Sequence, residues 1–406
     1  MHKKVLIIDP IFRGSRLFYS WLVATGAIKA GYKPVIITRT NSKTDNYYEL
    51  FGNNQPEIHE IVNVPDEFWY GSIDYDGVKV IFKKIDDFVK NQDIALVYFS
   101  GINEIYTSLF KLIACGTPTN LNKIPVVFID YDATFLLRDI TCNPPRNLLK
   151  RLRWGIKKRF RDKRKLDNYR YLKQQIPKLK IMLLDERIND KNLSRIRNDC
   201  KNIFTYLPDP PPPESIIDSS QETGKYSVSI KILLVGKQSR RKGILDVIHV
   251  AGKNYPGHEN LQFIISGKLE AEMECLRPEL LELKSKIIWH DDYVTNAVLV
   301  ERYKNADYVM LPYTPDFNGS SGVMAMAAQY GKPVITTEHG LVGYRTKTNS
   351  IGFTYKSGDI DGLKKILADL PNLGQEKYSQ FSNNCTQFSR NNSVDKHQEV
   401  ILGILN

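Results

Sequence analysis

The chain has 406 residues, 42% of them apolar, and a formal net charge of +12. That length exceeds one ordinary core and suits two domains of roughly 150–200 residues each. No apolar run approaches the ~20 residues of a membrane span, so neither an anchor nor a signal peptide is expected, and a cytosolic location follows. The charge is local: residues 146–180 hold 15 Lys/Arg against 2 Asp/Glu, a net of +13, so the remainder (+12 less +13) stands at −1. Cys115, Cys142, Cys200, Cys275 and Cys385 are scattered, with no Cys-x-x-Cys pair, and read as reduced thiols. No His-Glu-x-x-His is present, so no zinc site is expected.

In chain order, residues 4–9 (Lys-Val-Leu-Ile-Ile-Asp) form an apolar run that reads as a buried parallel strand. Residues 16–31 have helical periodicity, with Gly31 as the stop, and 34–38 make the next strand. This β-α-β opening predicts a right-handed crossover and a parallel sheet. Further strands fit 95–99, 126–129, 181–184 and 203–205. Residues 51–77 read as irregular, with a short strand near Ile61. Pro-Asp-Pro-Pro-Pro-Pro at 208–213 excludes helix and central strand and marks a hinge. The same grammar then restarts, with strands at 230–235, 262–266, 286–289, 308–311, 334–337 and 352–355. Helices fit 243–251, 296–305, 323–329 and 360–370, and 338–344 reads as loop.

The expected class is therefore α/β: two Rossmann-like parallel-sheet domains facing a central cleft, with ligand at the carboxyl ends of the strands. The domains fall at 1–213 and 226–375, and 376–406 is a helical tail that packs back on the protein. No Gly-x-Gly-x-x-Gly follows Asp9, which argues against a nicotinamide dehydrogenase.

Three loops of the second domain suit an anion. Gly236-Lys237-Gln238-Ser239-Arg240-Arg241-Lys242-Gly243 follows one strand, and Gly267-Lys268 another. The third, Gly319-Ser320-Ser321-Gly322, opens a helix, where free N–H groups and the helix dipole favour phosphate. Taken alone, each is more simply an ordinary helix cap or a solvated basic loop than an anion site. Three together fit a diphosphate better than a carboxylate.

The order strand-Gly-Lys-x(4)-Lys-Gly, strand-x-Gly, Ala306-Asp307-Tyr308-Val309-Met310-Leu311-Pro312, then Ser-Gly-Val-x-Ala-x-Ala-x-x-Gly-Lys-Pro-Val-Ile-Thr-Thr resembles one family. It is similar to the nucleotide-sugar-binding half of group 1 (family 4) glycosyltransferases of the GT-B fold. The likeness is good over 230–370 and only architectural in the first domain. It implies a donor nucleotide diphosphate sugar as substrate, with no separate cofactor, and a glycan or lipid-linked acceptor. By this resemblance Lys237, Lys242 and Gly236 bind the donor diphosphate, helped by Ser320 and the amides of Ser321, Gly322 and Val323. Val294 meets the base, and Gly14 lines the phosphate or acceptor side. The family's two glutamates, eight apart, fall here on Asn318 and Met326. A third falls on Tyr344, and the family's Gly-Gly turn keeps only Gly340. Its first-domain His falls on Tyr131. Retention of configuration is implied by the family alone.

The chemistry can also be read directly. Breaking a sugar–phosphate bond builds negative charge on the leaving diphosphate, which fixed lysines and amides stabilise without a metal. A retaining reaction needs no protein base. An inverting one needs a carboxylate near the acceptor, for which Asp130, Asp132 and Asp9 are the candidates. Asp130-Tyr131-Asp132 also has the Asp-x-Asp form of a metal site, but the pattern recurs at Asp74/Asp76 and Asp359/Asp361. His290 and His339 fall on loops of the same edge, and His339 is the one to mutate. A GT-B protein that binds a glycan or partner without turnover is the alternative function.

Within 146–180, Leu148, Leu152, Ile156 and Phe160 recur every four residues, with Leu149 and Trp154 nearby. This apolar stripe on a Lys/Arg-covered helix suits docking on an anionic membrane surface, at the inner face of the plasma membrane. The competing reading is a stripe that packs on the first domain under a solvated charged face. No recognition motif supports nucleic acid as a partner.

Overall fold

The computed structural model describes residues 3–9, 15–39, 56–61, 75–103, 105–115, 120–137, 148–196, 200–211, 229–292 and 296–405. It contains two α/β units.

The first unit opens with β1 (Lys4–Asp9), α1 (Ser15–Lys29), β2 (Lys33–Arg39) and β3 (Glu57–Ile61). It continues through α2 (Tyr75–Asn91), β4 (Ile94–Phe99), α3 (Tyr106–Ala114) and β5 (Val126–Asp130). Then come α4 (Leu148–Gln175), β6 (Leu179–Leu183) and β7 (Phe204–Tyr206). The strand order is β3-β2-β1-β4-β5-β6-β7, every pairing parallel. Val5 to Ile8 are buried on both faces, as their unbroken apolar run requires. The short strand expected near Ile61 is β3, whereas α2 already begins at Tyr75, inside the stretch expected to be irregular. Val78, Ile81, Phe82, Ile85 and Phe88 of α2 fall at helical spacing and are buried.

Of the cationic stretch, residues 148–180 are α4, on the crossover that returns the chain from β5 to β6, and the start of β6; 146–147 lie outside the described residues. Asp162, Tyr169 and Leu172 lie on its buried face. At 100° per residue, Ile156 and Phe160 point the opposite way, and they are 55% and 71% exposed. The described part of the stripe therefore does not pack on the first unit. The side chains of Leu148, Leu149, Leu152 and Trp154 lie outside the described residues.

The second unit comprises β8 (Ile230–Val235), α5 (Ile244–Ala251), β9 (Leu261–Ser266), α6 (Arg277–Glu282) and β10 (Ile287–His290). Next are α7 (Asn296–Asn305), β11 (Tyr308–Leu311), α8 (Gly322–Gln329) and β12 (Val334–Thr337). It ends with α9 (Gly340–Thr348), β13 (Gly352–Tyr355), α10 (Ile360–Asp369) and α11 (Gln375–Asn391). Its sheet, β10-β9-β8-β11-β12-β13, is again all parallel. Residues 340–344, expected to be loop, begin α9: Gly340 takes φ 67 and turns the chain into the helix. Pro208, Asp209, Pro210 and Pro211 of the hinge are buried, while 212–213 lie outside the described residues.

The tail divides. Helix α11 stays with the second unit, where Cys385 and Phe388 join the core around α8 and β12. The last helix, α12 (Val394–Leu402), belongs to the first unit and packs on α1. There Gln398 donates to the Leu22 carbonyl (2.9 Å) and to Thr25 Oγ1 (3.0 Å), and His397 Nδ1 meets the Pro208 carbonyl (2.7 Å). Among the described residues no helix is long and apolar enough to cross a membrane.

Candidate active site

In a parallel sheet all strands end at one edge, so the loops after β8, β9, β11 and β12 are neighbours there. Two glycines bring them together. Gly267, at φ 143, lies so close to the β8 loop that a Cβ would stand 2.3 Å from the Gly236 carbonyl oxygen. Gly243, at φ 75, is pressed on the end of β11, where a Cβ would stand 1.7 Å from the Pro312 oxygen. No other residue fits either place. Gly236 N donates to the Ser266 carbonyl (2.9 Å) and Gln238 N to the Lys268 carbonyl (2.8 Å), which joins the first two loops.

From this frame Lys242 reaches inward. Its Nζ donates to the Tyr313 hydroxyl (2.8 Å) and lies 4.3 Å from the centre of that ring. The Tyr313 hydroxyl in turn lies 3.0 Å from Ser321 Oγ. Ser321 caps α8, accepting from Met324 N (3.4 Å). The first backbone bond of that helix runs from Ala325 N to the Ser321 carbonyl (3.1 Å), so the amides of Gly322 and Val323 precede it and face outward. A Cβ added at Gly236, Gly319 or Gly322 would meet nothing within 4 Å, so there is room beside each. Lys237 is exposed on the same loop as Lys242. Thus Lys242, Ser321 and the start of α8 form one connected unit around Tyr313.

Ser320 is held separately. Its hydroxyl donates to Asp209 and accepts from Arg345 Nη1 (2.8 Å). Arg345 is buried and lies 5.6 Å from the Phe388 ring centre. Sequence reasoning did not find Tyr313, Asp209 or Arg345. Tyr313 could have been suspected from its place just past a buried strand, whereas Arg345 lay just past the stretch read as loop, with no motif to mark it.

His339 follows β12 and is the N-cap residue of α9, with no side-chain capping bond. Its ring is hydrogen-bonded to the Thr314 backbone, and its Nε2 is buried without a hydrogen-bond partner among the described residues. Burial lowers its pKa, against the opposing pull of Thr314, Glu338 and Asp316. Burial, with Arg302 next, also lowers that of His290, which ends β10. Asn318 Nδ2 donates to the Pro315 carbonyl (3.1 Å), and Met326 is core, packed with Tyr313 and Tyr303. Gly14 and Val294 lie outside the described residues.

At the corresponding edge of the first unit, Asp130 and Asp132 part company. Asp130 is fully buried, and its oxygens take Lys165 Nζ (2.6 Å), Tyr169 OH (2.7 Å), Asn103 Nδ2 (3.1 Å) and Asp132 N (3.0 Å). It anchors α4 to the end of β5. The Asp132 side chain is half exposed and accepts from Thr134 N (3.0 Å). Burial would raise its pKa, but Lys165 and the Thr134 bonds outweigh that and hold it below the usual carboxylate range. Asp9 is fully buried and accepts from Ser20 Oγ (2.7 Å). Among the described residues no group of three His, Cys, Asp or Glu is placed to hold a metal.

Two parallel-sheet Rossmann-like units, the second with basic and glycine-rich loops at its strand ends, define a protein of the GT-B class. Residues 215–388 match the family described as Glycosyl transferases group 1. The match lies over the second unit. No curated protein matches it by sequence. Its fold is similar to that of a glycosyltransferase from Rickettsia africae ESF-5 (13% identity, TM-score 0.66, covering 100% of this chain and 98% of that one). It is also similar to Anabaena Alr3699/HepE in complex with UDP (14% identity, TM-score 0.61, 99% of each chain). A third likeness is to WaaG, a glycosyltransferase involved in lipopolysaccharide biosynthesis (16% identity, TM-score 0.58, 98% of this chain and 100% of that one).

Proposed function

We propose that the protein transfers a sugar from a nucleotide diphosphate sugar to a glycan or lipid-linked acceptor in polysaccharide or glycolipid synthesis. The observation that carries this reading is the Lys242–Tyr313–Ser321 chain, which ties a basic loop to the start of α8. Cleavage of the sugar–phosphate bond leaves negative charge on the diphosphate. Lys237, Lys242 and the Gly322 and Val323 amides are the groups that take it up, with Lys242 held in place by Tyr313 before reaction. Similar HepE structures hold UDP and UDP-glucose, which supports a nucleotide sugar as donor. If configuration is retained, a leaving-phosphate oxygen accepts the acceptor's proton. If it is inverted, Asp132 is the accessible carboxylate, because Asp130 commits both oxygens to α4 and its neighbours.

The exposed Ile156 and Phe160 among Arg153, Lys157, Arg159, Lys163 and Arg164 support peripheral docking on an anionic membrane, where a lipid-linked acceptor resides. A second reading, a GT-B protein that binds a glycan or partner without turnover, rests on Asn318 and Met326 standing where the family has acids. A transfer and hydrolysis assay over a panel of nucleotide sugars separates the two. Turnover by the wild type, reduced about 100-fold or more in Lys237→Ala/Lys242→Ala, supports transfer through this site. Undiminished turnover in that variant contradicts the assignment.

A further inference from the structure

The second unit lacks a carboxylate at both places where the group's acids stand, yet one acceptor is present nearby. Asn318 has its amide nitrogen on the Pro315 carbonyl, and Met326 is buried in the core. His339 follows β12, one residue before Gly340. A Cβ on Gly340 would meet the Phe317 carbonyl oxygen at 2.8 Å and Asn318 Cα at 3.4 Å. The chain at His339–Gly340 therefore lies directly against the 317–318 turn.

The imidazole has two distinct sides. With Nε2 unpartnered, the Thr314 bond belongs to Nδ1. A bond to a backbone carbonyl needs Nδ1–H, so in the neutral ring Nε2 carries the lone pair. A buried acceptor without a partner costs stability and is seldom kept without use. We propose that Nε2 of His339 accepts a hydrogen bond from a hydroxyl of the donor sugar, in place of the missing acids at Asn318 and Met326. This rests on the donor reading above. His339 is thus a specificity residue for the sugar moiety, not for the nucleoside diphosphate. A neutral ring suits that role, because an imidazolium would offer no acceptor, and burial keeps the ring neutral.

Two substitutions separate the ring's two sides. Asn at 339 can reproduce Nδ1 but not Nε2; Gln can reproduce Nε2. Calorimetric titration of wild type, His339→Asn and His339→Gln is run with UDP, GDP and ADP and with their glucose conjugates, melting curves confirming folding. His339→Asn is expected to leave nucleoside diphosphate affinity within about twofold and to weaken the preferred nucleotide sugar about tenfold. His339→Gln is expected to restore most of that loss. Equal weakening of diphosphate and sugar conjugate in His339→Asn, or no weakening of either, overturns the inference while the donor site stands. Absence of any diphosphate binding by the wild type overturns the donor reading itself, and this inference with it.

Discussion

At the scale of single residues, the site depends on side chains held by other side chains. Tyr313 positions Lys242 and Ser321 through one oxygen. Tyr313→Phe keeps the ring and removes that oxygen, so nucleoside diphosphate affinity should fall by about 3- to 10-fold with little change in melting temperature, read by titration and calorimetry. Asp130 is the contrasting case. Asp130→Ala leaves Lys165, itself largely buried, without its carboxylate, and should lower unfolding free energy by about 3 kcal/mol, measured by urea denaturation. His339 adds a pH dependence whose sign is fixed. Its folded pKa is lowered below the unfolded value of about 6.5, so its contribution is complete above that value and is lost as pH falls through the folded pKa. The melting temperature of the wild type should therefore drop further between pH 7.5 and 5.5 than that of His339→Gln; equal drops contradict this. The loops that carry Lys237, Lys242 and Ser321 were legible in sequence as candidate anion-binding loops. Tyr313 and Arg345 were not, because their roles depend on contacts between segments 25 to 71 residues apart.

At the scale of elements, α4 does two jobs with two faces. The buried face carries Lys165 and Tyr169 to Asp130; the opposite face shows Ile156 and Phe160 among basic residues. Ile156→Glu/Phe160→Glu should leave the melting temperature within about 1 °C, since surface changes of this kind cost little. It should abolish most co-sedimentation with phosphatidylglycerol vesicles, which in the wild type should weaken as salt rises. Binding that ignores salt and both substitutions contradicts docking through this face. The period-four stripe was readable in sequence, but its direction was not. Only the contacts of Asp162 and Tyr169 decide which side of a helix faces the core. The strands were the most legible elements, because continuous runs such as Val5–Ile8 and Val334–Thr337 leave little choice but a doubly covered sheet. Helix α9 was hidden by Gly340 and Gly343, which read as loop in isolation but here permit close approach to Phe317 and Glu338.

At the scale of the whole molecule, the chain returns to its first unit at the end. Helix α12 closes over α1, with Ile401 buried in the first unit's core and Gln398 bonded to Leu22 and Thr25. A chain ending at Ser393 should lose about 3 kcal/mol or more from the first unit while the second keeps its own melting transition, so calorimetry should show two separated transitions. A single unshifted transition contradicts this division. The repeat of β-α-β grammar on both sides of 208–213 made two domains legible, whereas the splitting of the tail between them was not, because an amphipathic helix does not announce its partner. If loops at the strand ends of the second unit hold a nucleoside diphosphate through Lys237 and Lys242, titration of wild type and Lys237→Ala/Lys242→Ala with UDP, GDP and ADP reads it out. The wild type should bind at least one diphosphate, and the double variant should lose about 100-fold in affinity; equal affinity in the two proteins rules this site out.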